Sequence, residues 1–99
     1  MVDYEEESSL LRCAGEEDST TQPQRRRPFA RAVKAPRDVV VDLSELAFAD
    51  PSLMLDLAIL AQRLRTHGQR LLVRGAQPHI VRLIEMVGLN RQPGVLLAV

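Results

Sequence analysis

Within this 99-residue sequence, the segment Asp50-Pro51-Ser52 gathers side chains whose types and spacing could do chemistry. Asp50 can cap a helix by accepting from its free amides, and Pro51 suits the first helical position. Ser52 then places a hydroxyl in the first turn. Asp42, Asp50 and Asp56 invite an acid–base reading, yet Asp50 is accounted for as a cap and Asp56 as a solvent contact on a helix face. His67 and His79 stand twelve residues apart with no carboxylate at ligand spacing, which predicts no metal site. His67 near a helix C-terminus is explained by the helix dipole. Cys13, the single cysteine, reads as a small core hydrophobe. No serine lies in a nucleophile elbow, and no glycine-rich phosphate loop follows a strand. The reading is therefore of a protein that is not an enzyme, with no cofactor.

The elements that position these residues follow from apolar periodicity and from breakers. Ser9 to Ala14 reads as a strand ended by Gly15. Asp18 to Pro23 reads as a helix start, and Pro28 then makes residues 22–34 a short, broken or kinked helix. Asp38 to Leu43 is the clearest strand, and its Val run suggests burial on both faces. Ser44 to Ala49 leads as a loop into a helix from Pro51 to about His67, stopped by Gly68. Arg70 to Arg74 is a strand, Gly75 to Pro78 a loop, and Pro78 to Val87 a helix ending at Gly88. Pro93-Gly94 is a turn before a last strand, Val95 to Val99. This order predicts an α/β domain with helices packed on a largely parallel or mixed sheet of four to five strands. Residues 1–8 read as an acidic flexible N-terminus or a weak edge strand, resting on Val2 and Tyr4. An unpaired edge could pair with a second copy, so the chain is expected as a monomer or weak homodimer.

On the helix that follows Asp50, Leu53, Leu57, Leu60 and Leu64 recur at spacings of four, three and four and form one buried stripe. Met54 flanks it, while Leu55 and Ile59 lie far round the wheel. Either the helix at 78–87 covers those two, or they form an exposed apolar ridge suited to protein–protein contact.

Composition narrows the partner class. Thirteen basic and thirteen acidic residues give zero formal net charge, which excludes a strongly basic nucleic-acid binder. The neutrality hides a dipole. Residues 1–18 carry seven acids and one base, residues 19–37 carry six bases and no acid, and the remainder holds six of each. The two blocks read as solvated faces that attract weakly. No apolar run reaches the roughly 18 residues of a membrane span, and no signal-like leader precedes the acidic start, so the expected compartment is the cytoplasm.

From about residue 9 to 99 the sequence resembles a STAS domain, the fold of bacterial anti-sigma factor antagonists. Val39 to Asp50 is similar to the strand and loop that end on the aspartate of the family's Asp-Ser-Ser/Thr-Gly motif. Gly15-Glu16-Glu17-Asp18 is similar to Gly-Glu-x-Asp, with Thr21 near the usual helix-starting threonine. Gly68 to Val73 resembles the strand after the motif helix, and Val81 to Leu89 the last helix with its Gly-Leu exit. The resemblance implies a docking surface made of Asp18, Asp50, Pro51, Ser52, Leu53, Met54, Leu55 and Ile59. The implied partner is an anti-sigma factor that is also a serine kinase of the GHKL ATPase type. Pro51 occupies the family's phosphoacceptor position and has no hydroxyl, and Leu53 replaces the glycine. Three readings follow. The chain is an antagonist or adaptor without the phosphorylation switch; or Ser52 has become the acceptor, at a helix start that favours phosphate; or it is a STAS subunit propping up the ATPase of an ABC-type lipid transporter.

Overall fold

The computed structural model describes residues 1–98, so Val99, the last position of the expected final strand, lies outside the described residues. Strands β1 (Val2–Glu5), β2 (Leu10–Glu17), β3 (Val39–Ala49), β4 (Leu71–Arg74) and β5 (Val95–Leu97) form one sheet in the order β1-β2-β3-β4-β5. The first pair is antiparallel and the other three are parallel, so the sheet is mixed. Helices α1 (Gln22–Val33), α2 (Pro51–Arg65) and α3 (Pro78–Val87) make the parallel crossovers. None is long and apolar enough to cross a membrane.

Alternation along the strands shows where the core sits. Val39, Val41 and Leu43 of β3 are completely buried, as are Leu71 and Val73 of β4. The neighbours of opposite parity, Val40 and Leu72, are only half-buried and stand outside that core. The Val run is therefore not buried on both faces, as the sequence suggested: the helices cover one face and leave the other open. The buried stripe Leu53, Leu57, Leu60 and Leu64 seats α2 on the covered face. Burial of each such side chain stabilises by about 1.5–3 kcal/mol.

Three local expectations are corrected. β2 does not end at Gly15; that residue takes φ +73° beside a register irregularity, and the strand continues to Glu17. Ser44 to Ala49 is not a loop, because β3 runs on beside the bulged part of β2 and delivers Asp50 directly to α2. Helix α1 is unbroken through Pro28. That proline gives up one backbone bond, while Pro28, Phe29 and Ala32 become buried, with α1 packed over β1 and β2.

The turn after β4 depends on a glycine for two separate reasons. Gly75 sits at φ +78°, and a Cβ there would lie 3.0 Å from Ser44 Cβ and 3.2 Å from the Ser44 backbone nitrogen. Gly75→Ala should therefore cost about 1–3 kcal/mol. In a domain of this size that is a fall in Tm of at least about 4 °C, measurable by thermal denaturation. An unchanged Tm would show that the β4–α3 turn relaxes freely.

Candidate functional site

The start of α2 lies where β3 ends beside β2, and its first turn is held in place from two sides. Asp50, in extended conformation, accepts from the Ser52 backbone N–H at 2.9 Å through Oδ1. Its Oδ2 accepts from the Ser19 N–H at 3.1 Å, which ties the 18–21 turn to the helix start. The Ser52 hydroxyl donates to Asp50 Oδ1. That hydroxyl bond first, then the Ser52 and Ser19 amides and the Arg25 charge, hold the Asp50 carboxyl below the usual carboxylate range against a desolvation cost. Asp18 caps its own turn, accepting from the Thr20 and Thr21 N–H groups, and its carboxyl is lowered chiefly by the Thr20 hydroxyl. Both carboxylates are therefore ionised at neutral pH, and neither is tuned for proton transfer.

Beneath this turn lies a residue that the sequence reading missed. Arg25 is 1% exposed, although Arg26 and Arg27 beside it face solvent. Its Nη2 donates to Ser52 Oγ at 2.9 Å, its Nε to Asp56 Oδ2 at 2.8 Å, and its Nη1 to Glu17 Oε1 at 3.2 Å and the Asp18 carbonyl at 3.0 Å. Glu17 is itself 2% exposed and also accepts from the Thr21 hydroxyl. One guanidinium thus joins β2, the 18–21 turn, α1 and α2. The signal was present in the spacing: Arg25, Phe29 and Ala32, four and then three apart, share one helix face, and all three are buried.

Two expectations change as a result. Asp56 is not a solvent contact; it pairs with Arg25 and accepts from Gln22 Nε2 at 3.2 Å. The acidic and basic blocks are not simply two solvated faces either. Exposed pairs such as Arg31–Glu6 at 3.6 Å fit that description, but Arg25–Glu17 is an interior ion pair.

The sequence-selected residues separate by exposure. Leu53 and Met54 are buried in the core, so neither offers its side chain to a partner: the helix turns them onto the sheet with Leu57. Pro51 is exposed, while Asp18, Asp50 and Ser52 are half-buried. Leu55 is 60% exposed and Ile59 49%, and α3 does not cover them. Ile59 instead lines an open groove between α2 and α1 with Phe29 and Val33. Phe48, two residues before Asp50, is also half exposed. Large apolar side chains left in water on a helix beside an ordered polar turn suit protein contact rather than small-molecule chemistry. Cys13 is inert at neutral pH, since burial above all pushes its thiol up to about 12.

The fold has solved counterparts. The structure of the anti-sigma factor antagonist SpoIIAA in its unphosphorylated form matches with a TM-score of 0.66 at 17% identity, over 91% of this chain and 79% of that chain. The phosphorylated form of the Bacillus cell fate determinant SpoIIAA matches with a TM-score of 0.58 at 20% identity, over 91% of this chain and 81% of that chain. At these identities the likeness establishes the fold. No curated protein sequence matches the chain. The family described as "Mlab, STAS domain" matches residues 1–98. With that match spanning every described residue, and with a mixed sheet of the SpoIIAA kind, the chain belongs to this STAS-domain family.

Proposed function

We propose that this STAS domain is a non-catalytic regulatory module of the cytoplasm that docks a partner protein over the exposed start of α2. The partner class we favour is an anti-sigma factor of the GHKL kinase type, which the module captures as an antagonist. The observation that carries the reading is the exposed pair Leu55 and Ile59 one and two turns after the ordered Asp50-Pro51-Ser52 segment. Asp18, Asp50, Pro51 and Ser52 frame that contact.

The usual phosphorylation switch is absent in this reading. Pro51 offers no hydroxyl, and Ser52 Oγ is engaged on both sides, donating to Asp50 and accepting from Arg25. Phosphoryl transfer to Ser52 would have to break both bonds and place a dianion against the Asp50 carboxylate. Incubation with a GHKL-type kinase and ATP should therefore leave the intact mass unchanged. A gain of one phosphate mapped to Ser52 would make Ser52 the acceptor and overturn this part of the proposal.

A second reading, which the STAS resemblance also implies, makes the domain a subunit of an ABC-type lipid-transport ATPase. Purification of the tagged chain from its native cell separates the two. A GHKL-type kinase in stoichiometric amount supports the first reading, and an ABC ATPase supports the second.

A further inference from the structure

The sheet face turned away from the helices carries side chains that docking on α2 leaves unused. Strand register aligns Leu10, Val40, Leu72 and Leu96 in one row across β2, β3, β4 and β5. Leu10, at the β2 end of the row, is buried at 7% exposure; Val40 and Leu72 are half-buried, and Leu96 is 48% exposed. Val40, Leu72 and Leu96 line a shallow recess with Arg74 at its edge. Two residues further along the strands, Asp42 and Arg74 are register partners with their charges 3.6 Å apart.

We infer that this face binds a second copy of the chain, face to face, about a twofold axis running along the strands between β3 and β4. Rotation about that axis reverses the strand order and keeps each row level. Val40 then meets Leu72 of the second copy, and the exposed Leu96 lies over the β2 position of the second copy, where Leu10 is already buried. The same rotation sets Asp42 against Arg74 of the second copy, twice, because acid and base stand one strand either side of the axis. The face is therefore complementary to itself in charge sign as well as in apolar content, which is what an isologous interface requires. Aligned sheet packing about 10 Å apart suits this arrangement. It also turns both helical layers outward, so the dimer presents two α2 ridges and can hold two partner sites at once.

A patch of this size belongs with weak interfaces below about 1,200 Å², so the association is read over a concentration series reaching about 1 mM. Sedimentation of the whole chain should show a monomer–dimer equilibrium, and Leu96→Glu should raise its dissociation constant at least about tenfold. Arg74→Asp makes the two positions that face each other across the axis both acidic, and Asp42→Arg makes them both basic, while Arg12, the β2 partner of Asp42, stays the same in each. Each variant alone should lose the dimer, whereas an equimolar mixture should form heterodimers at least about tenfold tighter than either homodimer. A chain that stays monomeric throughout overturns the inference. So does a dimer indifferent to Leu96→Glu and to the charge mixture, which is what pairing through the β5 edge would give. Asp42 also accepts from the Ser44 N–H, so circular dichroism checks the fold of Asp42→Arg. Should that variant unfold, Leu96→Glu alone decides.

Discussion

Replacing Arg25 by Met is expected to lower the unfolding free energy by about 3–5 kcal/mol. The magnitude follows from burial rather than from the number of bonds. An exposed ion pair contributes at most about 1 kcal/mol, because water replaces either partner. Arg25 and Glu17 are 1% and 2% exposed, so removing the guanidinium leaves the interior carboxylate with only the Met1 ammonium, at 2.6 Å, and the Thr21 hydroxyl, and takes from Asp56 its charge partner. Met keeps much of the volume, which separates the charge effect from a cavity effect. The loss is a large part of the 5–15 kcal/mol that holds a typical domain together, so the variant should melt at least about 12 °C lower. Adding Glu17→Gln should recover part of it, because the interior carboxylate that lost its guanidinium is then neutral. A loss under about 1 kcal/mol in the single variant would show that the interior pair is not what fixes the 18–21 turn against α2.

The second large effect is on binding and leaves stability alone. Leu55→Asp and Ile59→Asp change side chains that already face water, so each should alter the unfolding free energy by no more than about 0.5 kcal/mol. If the ridge is the centre of the docking surface, each should weaken partner binding by about 2–4 kcal/mol, or roughly 30- to 1,000-fold. The acidic substituent places an unpaired charge in a desolvated contact. Isothermal titration together with thermal denaturation reads both quantities on the same sample. Loss of fold in either variant would return Leu55 or Ile59 to the core and remove the ridge.

The contrast between these two variants also shows what the sequence could and could not disclose. Helix α2 was legible because its signals are local: Asp50 accepts from the Ser52 amide, Pro51 has no donor to lose, and four leucines repeat at helical spacing. The STAS order of elements was legible for the same reason. Arg25 was harder to pick out, because only its spacing from Phe29 and Ala32 separates it from Arg26 and Arg27, and tertiary packing decides that this face is the buried one. Asp56 was misread with it, since a carboxylate on an amphipathic helix looks solvated until its buried partner is known. The extension of β3 through Ala49 depends on the bulged register of β2, a pairing that no local pattern encodes. Leu55 and Ile59 were singled out correctly as outliers on the wheel, but whether α3 reached them was a question of tertiary distance. Pro28 shows the opposite failure: a strong local rule was outweighed by the burial that its helix gains.

Together these features describe an ordered polar turn, held from beneath by Arg25, beside an exposed apolar ridge; in the proposed function that ridge meets the partner, and position 51 carries no phosphorylatable residue. The most direct test is the affinity of the chain for a GHKL-type anti-sigma kinase, titrated with and without prior incubation of the pair with ATP. The wild type should bind equally well in both cases, and Leu55→Asp should bind at least about 30-fold more weakly in both. Binding that ATP abolishes, or binding that Leu55→Asp leaves intact, would contradict the account.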